Sequence, residues 1–177
     1  FSMLKRFLQG MSIIARENSN ENQIIGVAIN TRSCPWDGKK LEDYARMTNC
    51  VSTKKLLHIW ALLAREPRLH EEFSQLSIFE IGILAVKKSL EGQGLGTELV
   101  RRSLDLGRDL NYAYARMNCT SEFSTKIADK MRMKKLWEVP YQNILMHDGR
   151  TPLALPEHPH SRAAVYSVNL KNNPPLD

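Results

Sequence analysis

The sequence predicts an α/β (α+β) fold in three layers: a central mixed, mainly antiparallel sheet flanked by helices, with an opening strand lacking. Three observations carry this. Two apolar runs near the start flank the polar cluster Asn18-Ser19-Asn20-Glu21-Asn22, the pattern of a β-hairpin. An apolar run ending at Val86 then passes through Gly92, Gly94 and Gly96 into a segment with helical periodicity. After it, strand-like and helix-like segments alternate to the end of the chain.

In order, residues 1–9 read as an amphipathic helix with Leu4, Phe7 and Leu8 on one face and Gly10 as its C-cap. Residues 11–16 and 23–30 are the hairpin strands. Cys34-Pro35-Trp36-Asp37-Gly38 is a loop, and 39–47 a short helix. Residues 53–65 form a firmer helix, with Leu56, Leu57, Trp60 and Leu63 as its buried stripe, stopped near Pro67. Residues 76–86 are a strand and 94–110 a helix with Leu99, Leu104 and Leu106 inward. A strand at 112–117, a helix at 120–131 and a strand at 135–145 follow. His147-Asp148-Gly149-Arg150 marks a turn, and 152–159 is proline-rich. Alternating Ala163, Val165 and Val168 give a last strand over 162–170, with a frayed tail from about 172. No repeat or linker interrupts this order, so 1–177 reads as one domain.

Composition narrows the function. No apolar run approaches a membrane span, and no secretory signal is visible. Cys34, Cys50 and Cys119 show neither metal spacing nor a disulfide framework. The expectations are therefore a cytoplasmic protein, without metal, as a monomer or weak dimer. The net charge of +6 suits an anionic ligand but is too diffuse to argue nucleic acid. Its densest cluster, Lys130, Arg132, Lys134 and Lys135, falls where a helix should end, where cations are favoured.

Strand, glycine loop and helix together aim backbone N–H groups at an anion, most often a phosphate; a ligand-free glycine turn is the alternative. A P-loop requires Gly-Lys-Ser/Thr, but Gly96 is followed by Thr97-Glu98. A dinucleotide fingerprint requires glycine where Thr97 stands. The segment Glu91-Gly92-Gln93-Gly94-Leu95-Gly96 instead resembles motif A of the GNAT superfamily of N-acetyltransferases, Arg/Gln-x-x-Gly-x-Gly/Ala, with Glu91 in place of the usual cation or amide. The element order is also the GNAT order, so the fold is expected to be GNAT-like and to use acetyl-CoA. Three further segments resemble the insect arylalkylamine N-acetyltransferases. They are Gly10 to Arg16 with Ile25 to Asn30; Phe123-Ser124-Thr125-Lys126 through Lys130; and Pro159-His160-Ser161. In the second, Arg132 stands where those proteins carry glycine and Met133 where they carry an aromatic.

The resemblance implies acetyl transfer from acetyl-CoA to a small primary amine, an arylalkylamine by this likeness. A polyamine or protein-lysine acceptor and a non-catalytic CoA-binding module are the alternatives. It implies a cofactor site at Leu84, Ala85, Val86, Glu91, Gly92, Gln93, Gly94, Leu95, Gly96, Thr97 and Ser124. Glu80, inside an apolar strand, is the candidate general base, because apolar surroundings raise a carboxyl pKa toward neutrality; a solvent-facing or arginine-paired glutamate is the alternative. Period-2 alternation sets Glu80 on one face with Gly82, Leu84 and Val86. Thr120 and Ser124, four apart on one helical face, match two serines tied to proton handling near the thiolate, although Thr120 or Ser121 could simply cap the helix. The GNAT tyrosine acid would fall near Ala128, so that phenol is missing. The insect enzymes' N-terminal glutamate has no match in 1–10. His160 is placed at the substrate rim, as a proton relay or as an ordinary loop residue.

Overall fold

The computed structural model describes residues 9–146 and 159–172, so the segments expected at 1–8, 147–158 and 173–177 lie outside the described residues. Six strands form one sheet: β1 (Ile13–Glu17), β2 (Asn20–Ser33), β3 (Ile78–Val86), β4 (Tyr114–Cys119), β5 (Lys134–Pro140) and β6 (Arg162–Asn169), in the spatial order β1-β2-β3-β4-β6-β5. Every neighbouring pair is antiparallel except β3 and β4. This is the mixed, mainly antiparallel sheet expected, with helices on both faces. Parallel strands need a crossover, and α4 (Leu95–Asp109) supplies it. α1 (Asp37–Met47), α2 (Val51–Arg65) and α3 (Leu69–Glu72) precede β3, and α5 (Glu122–Lys130) follows β4.

Two apolar cores sit on the two faces. On one, Val100 and Leu104 of α4 and Ala128 of α5 cover Phe79, Ile81, Ala115 and Met117. On the other, Leu63 of α2 and Leu69 of α3 cover Ile78, Val165 and Tyr141. α4 can lie close to the sheet because Gly107 faces the Phe79 ring; a Cβ there would come within 3.2 Å of Phe79 Cγ. A buried polar clasp fixes its position: Asn30 Nδ2 of β2 donates to Ser103 Oγ of α4 and to the Met11 carbonyl, both at 2.9 Å.

Several expectations are corrected. The hairpin turn is tighter than the polar cluster suggests, because Glu17 already pairs with Asn20. The stripe of α2 is rotated: Leu56 is exposed, while Ile59 and Leu62 pack beside Leu63. α3 was not foreseen; a single turn carries too little periodicity to read. β5 ends at Pro140, and a 3-10 turn over Tyr141–Asn143 takes the place of its expected second half. α5 begins at Glu122, so Thr120 precedes the helix and shares no helical face with Ser124.

The main departure lies within β3. Ile83 pairs with Ile29 but Ile81 with Asn30, leaving Gly82 as an extra residue in a β-bulge. One inserted residue reverses which face every later side chain occupies. Phe79 and Ile81 face α4, and after the bulge so do Leu84 and Val86, whose side chains lie 3.7 Å from a Cβ built on Gly96. Glu80 faces α1 and α2 instead, so it does not share a face with Leu84 and Val86.

Candidate acetyl-CoA groove and its flanking carboxylate

β3 pairs with β4 only across Phe79–Ala115, Glu80–Arg116 and Ile81–Met117. Beyond the bulge the strands part, and β4 stays with β6 as far as Cys119. The gap is a groove of about 600 Å³ bounded by Leu84, Ala85 and Val86 of β3, the loop and helix start at Glu91, Gly92 and Gly94–Thr97, Ser121, and Phe123, Ser124, Lys126, Ile127 and Lys130 of α5. The Lys87 N–H donates to the Ile25 carbonyl of β2 at 2.8 Å. Antiparallel strands alternate bonded and non-bonded residues, so the amides of Val86 and Leu84 point away from β2 and into the groove.

The groove's far end is built by the glycine loop. Gly92 and Gly94 have φ of +76° and +87°, a conformation glycine adopts without strain. The first intrahelical bond of α4 runs from Glu98 N–H to the Gly94 carbonyl at 3.0 Å, so the amides of Leu95, Gly96 and Thr97 have no partner within the helix. These amides and the helix dipole favour an anion. Gly96 also lets three elements meet, since a Cβ there would come 3.2 Å from Ile127 Cδ1 of α5.

Glu91 borders the groove, whereas Lys126 and Lys130 stand among its α5 residues. Two lysines thus border the groove from α5, where the loop presents a carboxylate. Gln93 is not among the bounding residues; its Nε2 donates to the Ser89 carbonyl at 3.4 Å. In the first turn of α4, hydrogen bonds from Arg101 and Arg102 hold the Glu98 carboxyl down at about 2, which keeps that charge turned to its own helix.

On the other side of β3, Glu80 is 5% exposed and its surroundings are polar, not apolar as expected. Asn118 Nδ2 donates to Oε1 at 2.7 Å, and the Thr31 hydroxyl donates to Oε2 at 3.4 Å. Arg116, fully buried beside it on β4, donates through Nη2 to Asn118 Oδ1 at 2.8 Å and to the Leu63 carbonyl at 2.7 Å. A cavity of about 10 Å³, room for one water, lies among Glu80, Asn118, Gly82, Ser33, Asp37 and Trp60. His70 closes this region, with Nδ1 2.8 Å from the Gln75 carbonyl and Nε2 3.3 Å from Ser33 Oγ. Burial lowers its pKa, the Arg116 charge adds to that, and the Gln75 contact, Asp37 and Glu80 oppose it. Thr31, Asn118, Arg116 and His70 were missed in the sequence. A readable signal existed for two of them: the alternation Ala115-Arg116-Met117-Asn118-Cys119 puts two polar side chains on one strand face.

Ser124 borders the groove but is also bound into the start of α5. Ser121 is the N-cap, accepting from the Ser124 N–H at 3.1 Å, while the Ser121 N–H donates to Ser124 Oγ at 3.2 Å. Thr120 is exposed, and its carbonyl accepts from the Tyr141 hydroxyl at 2.8 Å. Burial raises the Tyr141 phenol to about 12. Cys119, next in line, is fully buried, and burial raises its thiol to about 12 although a hydrogen bond with Ser124 opposes this. His160 does not border the groove. Its Nδ1 accepts from the Glu122 N–H at 3.4 Å, and its ring stands edge-on to Phe123, centroids 5.5 Å apart. Among the larger aromatics, Trp60 borders the Glu80 cavity, Trp36 is half exposed and Tyr141 belongs to the core.

No protein-family model matches the sequence, and no curated protein does. Solved structures match the fold. The chain superposes on a mosquito arylalkylamine N-acetyltransferase-like 5b with a TM-score of 0.86, 23% identity, and coverage of 94% of this chain and 77% of that one. Arylalkylamine N-acetyltransferase 2 from Aedes aegypti gives 0.84 at 24% identity, covering 96% of this chain and 77% of that one. A Drosophila melanogaster polyamine N-acetyltransferase, described as forming N-acetylagmatine, gives 0.84 at 19% identity, covering 95% and 78%.

Proposed function

Since the chain has the GNAT fold in the form found in insect arylalkylamine and polyamine N-acetyltransferases, we propose that it transfers an acetyl group from acetyl-CoA to a small primary amine. One observation carries this reading. The parted β3–β4 edge and the unpaired amides at the start of α4 belong to the same groove, so an extended chain ending in phosphates finds strand amides at one end and an anion site at the other.

The phosphates sit at the Gly92–Thr97 amides, with Lys126 and Lys130 across from them. The pantetheine lies along Leu84, Ala85 and Val86, and the inward amides of Leu84 and Val86 receive the thioester oxygen as it gains charge. The acceptor amine approaches from the Glu80 side of the bulge. Glu80 takes one proton from the ammonium group, the freed nitrogen attacks the acetyl carbonyl, and as the C–S bond breaks the nitrogen's second proton passes to the departing thiolate. Ser124, which borders the groove, hydrogen bonds the leaving thiolate; Thr120 is not among the bounding residues and takes no part in the reaction. His160 sits at the rim of the acceptor site.

An arylalkylamine is the first acceptor class, by likeness to two of the solved enzymes. A polyamine is the second reading, favoured by Asp37, which borders the Glu80 cavity and adds a second carboxylate for a second ammonium group. Thiol release from acetyl-CoA against aromatic amines, polyamines and lysine peptides tests all of this. Turnover with a primary amine that Glu80→Gln abolishes is the expected result. A folded protein that releases no thiol with any acceptor would overturn it.

A further inference from the structure

Glu80 would have to hold one orientation to serve as a base, and its contacts say what holds it. Asn118 lies between two groups of opposite hydrogen-bonding character. Arg116 can only donate, so it must meet the Asn118 carbonyl oxygen, as it does at 2.8 Å. The Asn118 NH₂ group is then turned to Glu80 Oε1, at 2.7 Å. Arg116 is itself anchored by the Leu63 carbonyl of α2 and is fully buried. The order is helix carbonyl, guanidinium, amide, carboxylate, and each donor and acceptor role fixes the next.

We propose that Asn118 is a positioning residue for Glu80, oriented by Arg116, which commits Oε1 to accepting a hydrogen bond and leaves Oε2 as the oxygen that takes the substrate proton. Among the described residues, Oε2 has only the long contact from the Thr31 hydroxyl. That hydroxyl can rotate to accept the new O–H once the proton arrives. Asp37, His70 and Arg116 are the other titratable groups around this carboxylate. The inference rests on the acetyltransferase reading above.

The test compares wild type with Asn118→Asp, Asn118→Ala and Glu80→Gln, using acetyl-CoA and the best amine from the acceptor panel. Asn118→Asp is nearly the same shape and still accepts from Arg116, but it faces Glu80 with an oxygen that cannot donate. For both Asn118 variants we expect kcat at neutral pH to fall by about 10- to 100-fold, within the range of general-base effects. The calorimetric affinity for CoA should stay within about twofold, which also establishes a folded protein. The kcat deficit should shrink as pH approaches the amine's own pKa, roughly 10, because the amine then arrives deprotonated. A purely structural role would lower thermal stability and CoA affinity and give the same deficit at every pH. Full kcat in Asn118→Asp while Glu80→Gln is dead would overturn the positioning role alone. Full kcat in Glu80→Gln, or no turnover by wild type, would overturn the base assignment and this proposal with it.

Discussion

Ser121 and Ser124 cap the same helix through each other: each side-chain oxygen accepts the other's backbone N–H, at 3.1 and 3.2 Å. This reciprocal arrangement satisfies two orphan donors at once. It also ties Ser124, which borders the groove, into the fold. Ser121→Ala should cost about 1 kcal/mol, lowering Tm by roughly 2–4 °C, with kcat unchanged. Ser124→Ala should cost about the same and also lower kcat. Equal kcat in the two variants would reduce Ser124 to a cap.

Glu91 stands beside an anion site, so removing its charge should help. Glu91→Gln should tighten acetyl-CoA by about two- to fivefold at low ionic strength, an effect that fades as salt screens exposed charges. Lys126→Ala with Lys130→Ala should act in the opposite sense, with a steeper salt dependence in the wild type than in the double variant. Calorimetry at two salt concentrations reads both.

Gly94 takes φ of +87°, with open space where a Cβ would go. Gly94→Ala therefore costs backbone strain without a clash, about 1–2 kcal/mol, and displaces the amides of the helix start. Acetyl-CoA affinity should fall while the circular dichroism spectrum is kept. An unchanged affinity would separate the glycine loop from cofactor binding.

The thiols should sort by environment. Cys50 is exposed, and hydrogen bonds with Thr53 lower its pKa, so a chromogenic disulfide should modify it quickly at pH 8. Cys119, buried with its thiol raised to about 12, should react only after unfolding. The sign of the linkage follows: with a folded value above the unfolded one, this group's stabilising contribution is complete below about pH 9 and is lost as pH climbs toward 12. Tyr141, also raised to about 12, loses its contribution over pH 10 to 12. Denaturant midpoints from pH 8 to 11 should fall, and a Cys119→Ser control should flatten the thiol part of that fall.

Arg132 occupies a left-handed turn, φ +54°, between α5 and β5, at the position where the resembling sequences carry glycine. Arg132→Val should lower Tm by several degrees, since a branched side chain tolerates this region poorly, and Arg132→Gly should not lower it. A stable Arg132→Val would mean that the turn can adopt another conformation.

The framework was legible because it rests on periodicity: the hairpin, the helices at 53–65 and 94–110, and the last strand all carry several matching positions. The glycine loop was legible because glycine marks the backbone conformation directly. The acid–base side was not. Alternation is a count, and one unpaired residue at Gly82 changes the count, so Glu80 was assigned the face that Leu84 occupies. Nor could spacing reveal that Thr31 of β2 and Arg116 and Asn118 of β4 gather around Glu80 of β3, because the three strands are joined only in the sheet. Met133, in place of an aromatic, is buried in the core and fills that position with a flexible apolar side chain.

The short parallel seam between β3 and β4 also bears on how the chain assembles. Residues paired across it, such as Phe79 and Ala115, are 36 apart in sequence, while β2–β3 partners are 45 to 60 apart and β4–β6 partners 45 to 55. Local contacts close at lower entropic cost than distant ones. The unit β3, α4 and β4 should therefore form early, before β2 and β6 add to its two edges. Truncations at Ile81 or Met117 should then act mainly on the folding rate, and truncations at Val27 or Val165 mainly on the unfolding rate, with φ-values near zero. The joint that borders the ligand's gap in the native state is, on this account, among the first to close during folding.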